Sequence, residues 1–154
     1  MKGRPAAAAA IALALVGCAG DGPATAIVQV GSVRFDVEVA RTADQQRQGL
    51  AHRPRLEQGT GMLFTFDRAT EQQVWMVGMA FALDVAWIRD DQVVDVLTLL
   101  PCTAADQARC PRWTSPGDVD ALLEVPAGSL TQINAGESVT VEENIDGDNV
   151  RGAL

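Results

Sequence analysis

The chain of 154 residues carries twelve Lys and Arg against twenty Asp and Glu, a formal charge of −8, and 47% of its residues are hydrophobic. That balance excludes a nucleic-acid binder built on a basic face, because phosphate binding depends on cations that displace counterions, and it excludes attachment to anionic lipid by charge alone. The length suits one domain with a genuine core and not two.

The first eighteen residues read as an address rather than a fold. Lys2 and Arg4 form a short basic region, Ala6 to Val16 form an apolar run, and small residues lead into Cys18. The run is much shorter than the roughly 20 residues a membrane-spanning helix needs. Leu15-Val16-Gly17-Cys18 resembles the lipobox of bacterial lipoproteins. The resemblance implies cleavage between Gly17 and Cys18, a diacylglycerol on the Cys18 sulfur and an acylated new amino group. Several acyl chains, at about 0.8 kcal/mol per buried methylene, anchor a protein in effect permanently. Ala19, where Asp often marks retention at the inner membrane, favours by the same resemblance the periplasmic side of the outer membrane in a Gram-negative envelope. The expected division is a signal peptide over 1–17, the lipidated cysteine and a tether over 18–25, and one β-rich domain over 26–142. An acidic, disordered tail is expected over 143–154.

Within the domain the hydrophobic pattern is mostly period-two. Ile27 to Val30 and Val33 to Val39 flank Gly31-Ser32, a two-residue loop suited to a tight hairpin. Val33, Phe35, Val37 and Val39 alternate with Arg34, Asp36 and Glu38, which predicts one buried and one wet face. Thr42-Ala43-Asp44-Gln45 has the form of a capping box, so a short helix is expected from there; Gly49 weakens its end and Pro54 prevents its continuation. Met62 to Phe66 reads as a buried strand and Val74 to Met76 as another. Leu83 to Ile88 and Val93 to Leu100 read as a second hairpin turning at Arg89 to Gln92. A loop over Pro101 to Pro116 follows, then a strand at Leu122 to Val125, a short helical turn over 127–134 and a last strand at Val139 to Val141. The fold class these elements predict is α+β, mainly β: a compact antiparallel sheet or partly closed barrel with one or two short helices.

With Cys18 assigned to lipid, Cys102 and Cys110 remain, and an oxidising envelope compartment lets them pair. Closing so short a loop removes about 2.6 kcal/mol of unfolded-chain entropy in the loop-closure treatment, so the bond would stiffen that loop. Two sulfurs with no matching His or Cys do not make a zinc site.

From Phe35 to Val141 the chain resembles the bacterial family known as domain of unknown function 192. The resemblance is carried by ordered blocks: Val37-Glu38-Val39-Ala40 followed by Thr42, Arg47-Gln48-Gly49-Leu50, Arg53, Gly61-Met62-Leu63-Phe64, Trp75-Met76 and Leu83-Asp84. It continues through Pro101-Cys102, Cys110-Pro111, Trp113, Ser115, Leu123-Glu124-Val125, Ala127-Gly128 and Gly136. It implies one compact β-rich domain, often secreted or lipidated, with no established activity. Two departures stand out. Val77-Gly78-Met79 replaces the family's Lys-Asn-Thr after Trp-Met, and Ala51 replaces a Met after Gly-Leu.

The chemistry-bearing candidates are Arg47 and Arg53 near the end of the capped helix, and Asp84 and Glu124 on strands otherwise apolar. A carboxylate in such surroundings must be paired or protonated. One reading joins the four in a structural arginine–carboxylate network. The other places Arg47, Arg53, Trp75, Met76, Asp84 and Glu124 in a cleft with Trp113 as a lid on the disulfide loop. Such a cleft suits a glycan or small polar ligand, since aromatic rings stack on sugar faces while charged groups hold hydroxyls. Alternatively Asp84 and Glu124 form the acid and base of a glycan-active hydrolase, which requires a separation of roughly 5 to 9.5 Å. Met62, Met76, Met79 and His52 invite comparison with Cu(I) ligands, but methionines in apolar runs ordinarily pack cores, so no metal is expected. No nucleophile elbow, Walker loop or dinucleotide fingerprint is present, and no cofactor is expected. The expected function is a non-catalytic, envelope-anchored domain that binds a small polar or glycan ligand or a partner protein; the hydrolase is the alternative.

Overall fold

The computed structural model describes residues 23–144. Strands β1 (Ala24–Val30) and β2 (Val33–Ala40) form the first hairpin, and Gly31 takes the positive φ of 55° that its turn requires. Helix α1 (Ala43–Gln48) starts at the expected capping box, in which Thr42 accepts from the Gln45 amide and the Gln45 side chain accepts from the Thr42 amide. Strand β3 (Thr60–Trp75) follows, then β4 (Leu83–Arg89) and β5 (Gln92–Leu99), joined by Asp90 and Asp91 at φ values of 50° and 58°. Strands β6 (Arg112–Pro126) and β7 (Val139–Glu143) complete a single sheet in the order β5-β4-β6-β3-β2-β1-β7.

The sheet is not purely antiparallel. β2 and β3 run parallel, and the chain between them carries α1 as the crossover that a parallel pair demands. The sheet curls into a half-barrel: the start of β5 meets the approach to β7 through Val93 N–H to Glu137 O at 2.9 Å and Gly136 N–H to Val93 O at 2.8 Å. Its concave side is filled from every strand, with Val28, Phe35, Leu63, Ile88, Leu123 and Val139 among the buried residues. Of the two architectures the sequence predicts, a compact antiparallel sheet or a partly closed barrel, this is the second.

Two strands are far longer than expected, and this builds the site. Met62–Phe66 and Val74–Trp75 belong to one continuous β3, while Leu122–Val125 is the end of a β6 that already begins at Arg112. Their ladder is irregular between Thr65 and Thr70 and again between Glu71 and Gln73. At the second irregularity the buried Ser115 hydroxyl accepts from the Gln72 amide and donates to the Gly117 carbonyl. Bulges bend a ladder, and here they carry the β3–β6 ribbon back across the convex side of the sheet. Val74, Met76 and Val119 thereby join Phe64, Leu83, Trp87 and Leu122 in a second apolar layer, capped by Leu50 from the turn after α1.

The Cys102–Cys110 disulfide is present, and its loop is tied to the ribbon end by Cys102 N–H to Met76 O at 3.2 Å. A short 3-10 turn at Gln107–Arg109, capped by Asp106, lies inside that loop. The helical turn expected over 127–134 does not form. Gly128 adopts a φ of 90°, and the Asp84 carboxylate takes the Gly128 and Leu130 amides that a helix would have used. β1 begins at Ala24, two residues inside the expected tether, and β7 extends through Glu143, where the Arg41–Glu143 ion pair and the Asn144 amide bonded to Thr25 O hold it. The signal peptide, Cys18 and the last ten residues lie outside the described residues.

Candidate functional site

A cavity of about 470 Å³ lies between the end of the ribbon, the C-terminal end of α1 and the convex side of the sheet. Phe64, Leu83 and Leu122 form its apolar floor, Gln46 to His52 one wall, and Gln72 to Val77 with Arg112 the other. Glu124 is the one carboxylate among the described residues that lines it.

Glu124 reaches this position through strand parity. Val85 of β4 and Met62 of β3 lie opposite it in register, both on the convex side, so the carboxyl enters the cavity from the middle of the sheet. The backbone there is tightly seated: a Cβ on Gly61 would stand 2.4 Å from the Glu124 carbonyl oxygen, so only glycine permits that approach. The Glu124 side chain is buried, and among the described residues it has no hydrogen-bond or ion-pair partner. Desolvation by burial pushes its pKa from the ordinary 4.5 up to about 7.

On the opposite wall Trp75 is 41% exposed, and the Arg112 guanidinium stacks on its ring at 4.1 Å from the centroid. Such a contact is worth about 0.5–1 kcal/mol at an exposed site. Arg47 stands at the rim, already bridged to Asp44 at 2.7 Å. His52, at a positive φ of 64°, donates its backbone N–H to Gly78 O at 2.8 Å and lays its ring where a Gly78 side chain would sit. Gly78 is thus required for the two walls to meet.

The remaining candidates go elsewhere. Arg53 lies beyond α1, because the positive-φ turn at His52 redirects the chain, and it forms a bidentate pair with Glu38 at 2.6 and 2.8 Å. The hydrogen bonds from Arg53 hold the Glu38 carboxyl below its usual value against the opposing effect of burial. Both side chains are about a third exposed, so the pair contributes no more than about 1 kcal/mol.

Asp84 faces the concave side, on the same parity of β4 as Ala86 and Ile88. Its oxygens accept from Thr98 Oγ1 at 2.7 Å, Gly128 N at 2.9 Å and Leu130 N at 2.8 Å. Asp84 and Glu124 therefore occupy opposite faces of the sheet. The arginine–carboxylate network does not form, and neither does the acid–base pair required of a hydrolase. Trp113 is no lid; it lies opposite Val74 in the ladder and packs, half-buried, on the convex apolar layer. Met62 and Met76 are both buried in that layer, and Met76, Met79 and His52 line the cavity.

Arg47, Trp75, Met76 and Glu124 are the candidates the structure brings together. Arg112 escaped the sequence reading because its partnership with Trp75 depends on the register Trp75 to Arg112, which no local pattern encodes. Phe64 and Phe66 likewise carried only a strand signal, and Gln73 carried none.

Residues 26–141 match the family model of DUF192, described as an uncharacterized ACR. No curated protein matches. Among solved structures, the chain is similar to a protein of unknown function from Novosphingobium aromaticivorans DSM 12444, with 26% identity, a TM-score of 0.69 and coverage of 86% of this chain and 94% of that one. It is also similar in fold to a protein from Sinorhizobium meliloti 1021 described provisionally as a transcription regulator, with 23% identity, a TM-score of 0.69 and coverage of 79% of this chain and 98% of that one.

Proposed function

We propose, on the premise that the chain belongs to the DUF192 family, that its domain is a non-catalytic binding module which takes a small polar or glycan-like ligand into the cavity beside Glu124. The observation that carries this reading is the Glu124 carboxyl itself. It is buried without a partner, yet opens on a space large enough for a small molecule. Leaving a buried polar group unmet costs on the order of 1–3 kcal/mol, a cost that a bound ligand with a matching donor removes. The exposed Trp75 face and the glutamines of both walls add an apolar platform and hydrogen-bonding groups, the usual make-up of a small-molecule site. A glycosidase is disfavoured because Asp84 is on the other side of the sheet.

The measurement is a thermal-shift and calorimetric screen of the purified protein against envelope glycans and small polar metabolites. A ligand that raises the melting temperature is expected to bind Trp75→Ala at least tenfold more weakly. Unchanged affinity in both Trp75→Ala and Glu124→Gln would place binding outside this cavity.

We further propose that the lipidated Cys18 holds the domain at the cell-envelope membrane, on the periplasmic side of the outer membrane in a Gram-negative host. The Cys102–Cys110 disulfide supports an oxidising compartment, and the acidic composition offers no basic face for nucleic acid. In cells, Cys18→Ser is expected to move the protein from the membrane fraction to the soluble fraction and to abolish acyl labelling; persistence of both would refute the anchor.

A further inference from the structure

We propose that the cavity is built for a zwitterion: a small amino carboxylate whose ammonium group is received by Glu124 and whose carboxylate is received by Arg112. The proposal rests on the reading that the cavity binds a small polar ligand, and it names the chemistry of that ligand.

Among the described residues, four ionisable side chains line the cavity: Arg47, His52, Arg112 and Glu124. Arg47 is already bridged to Asp44. Glu124 and Arg112 have no ion-pair partner among the described residues and do not reach each other, although they share one cavity and bear opposite charge once Glu124 is ionised. Two such groups attract, and a flexible pair would close on itself. These two are prevented from doing so. Glu124 is 7% exposed and anchored in the middle of the sheet, between β3 and β4. Arg112 is engaged by the Trp75 ring, its guanidinium carbon 4.1 Å from the centroid.

Stacking leaves the edge of the guanidinium, with its forked N–H donors, available to a carboxylate. The ligand that fits the gap carries its own charges in the reverse order. A simple anion meets the ionised Glu124 as a like charge in a poorly solvated place, and a simple amine leaves Arg112 unmatched. A neutral sugar satisfies neither charge. Phe64, Phe66, Leu83 and Met79 supply the apolar surface for a hydrocarbon side chain.

The test is calorimetry on the purified protein with five probes: leucine, the dipeptide leucylleucine, 3-methylbutylamine, 4-methylpentanoate and glucose. The two zwitterions bracket different spans between ammonium and carboxylate, and the next two each lack one charge. At least one zwitterion is expected to bind tenfold or more tightly than either singly charged probe. Glu124→Gln is expected to abolish the preference for the zwitterion over 4-methylpentanoate, and Arg112→Gln the preference over 3-methylbutylamine. A merely structural role predicts a uniform loss across probes instead, and near-ultraviolet circular dichroism establishes that each variant is folded. Equal binding of a zwitterion and a singly charged probe overturns the proposal. Binding of glucose without either zwitterion overturns it too, while leaving the small-ligand reading intact. Silence from every probe overturns it as well, and the small-ligand reading then falls only if the glycan and metabolite screen is also blank.

Discussion

Glu124→Gln is expected to raise the thermal midpoint of the unliganded protein at pH 8 and to leave it almost unchanged at pH 4. In the unfolded chain this carboxyl loses its proton near the ordinary value of 4.5, whereas in the fold burial keeps the proton until about pH 7. Between those values the unfolded state binds fewer protons than the native state, so rising pH favours unfolding. Stability therefore falls through the window from pH 4.5 to 7 and levels off above it. The displacement corresponds to about 3 kcal/mol at alkaline pH, since each pH unit of displacement is worth about 1.4 kcal/mol. Glutamine keeps the shape and cannot ionise, so the gap between variant and wild type should widen from near zero to about 3 kcal/mol, on the order of 10 °C for a domain of this size. Melting curves at half-unit steps from pH 4 to 8 give the answer. Parallel profiles for the two proteins would mean that Glu124 is solvated and that the cavity has been misread.

Asp84→Ala is expected to act in the opposite direction. The substitution strands the Gly128 and Leu130 amides, and the Thr98 hydroxyl loses its acceptor. The Leu130 amide is buried and costs about 1–3 kcal/mol when left unpaired, whereas Gly128 and Thr98 are exposed and turn to water at a smaller loss, so a total of about 2–4 kcal/mol is expected. Asp84→Asn should cost less than half as much, because the carboxamide oxygen still accepts from both amides while its NH₂ can donate to Thr98. Neither substitution should alter ligand affinity in protein that remains folded. Chemical denaturation gives the comparison. A midpoint for Asp84→Ala equal to that of the wild type would contradict the assignment of this carboxylate to the loop after β6.

Much of the fold was legible because its signals are local. The alternation in β2, the capping box at Thr42, the Gly31-Ser32 turn and the β4–β5 hairpin each lie within a few residues of sequence, and each forms where expected. The ribbon was not legible for a physical reason. Its strands are wet where they leave the sheet, so Asp67, Arg68 and Glu71 on β3, and Pro116, Gly117 and Asp118 on β6, resemble a loop more than a strand. The site was legible only in part. Arg47, Trp75, Met76 and Glu124 converge, but the pairing of Asp84 with Glu124 depended on a register that puts Asp84 opposite Val125 and Glu124 opposite Val85. One residue of offset separates a shared cleft from opposite faces. Arg53 was displaced for a different reason, since a single left-handed residue, His52, sends the chain away from the cavity.

β6 works as a partition wall between two compartments. Leu123 and Val125 belong to the chamber that holds the barrel together, and Leu122 and Glu124 to the chamber that is open to a guest. Relatives can therefore exchange the tenants of one room while the other stays furnished as it was. Differences in selectivity should gather at Leu122, Glu124 and the ribbon facing them, while Leu123 and Val125 answer only to the integrity of the building.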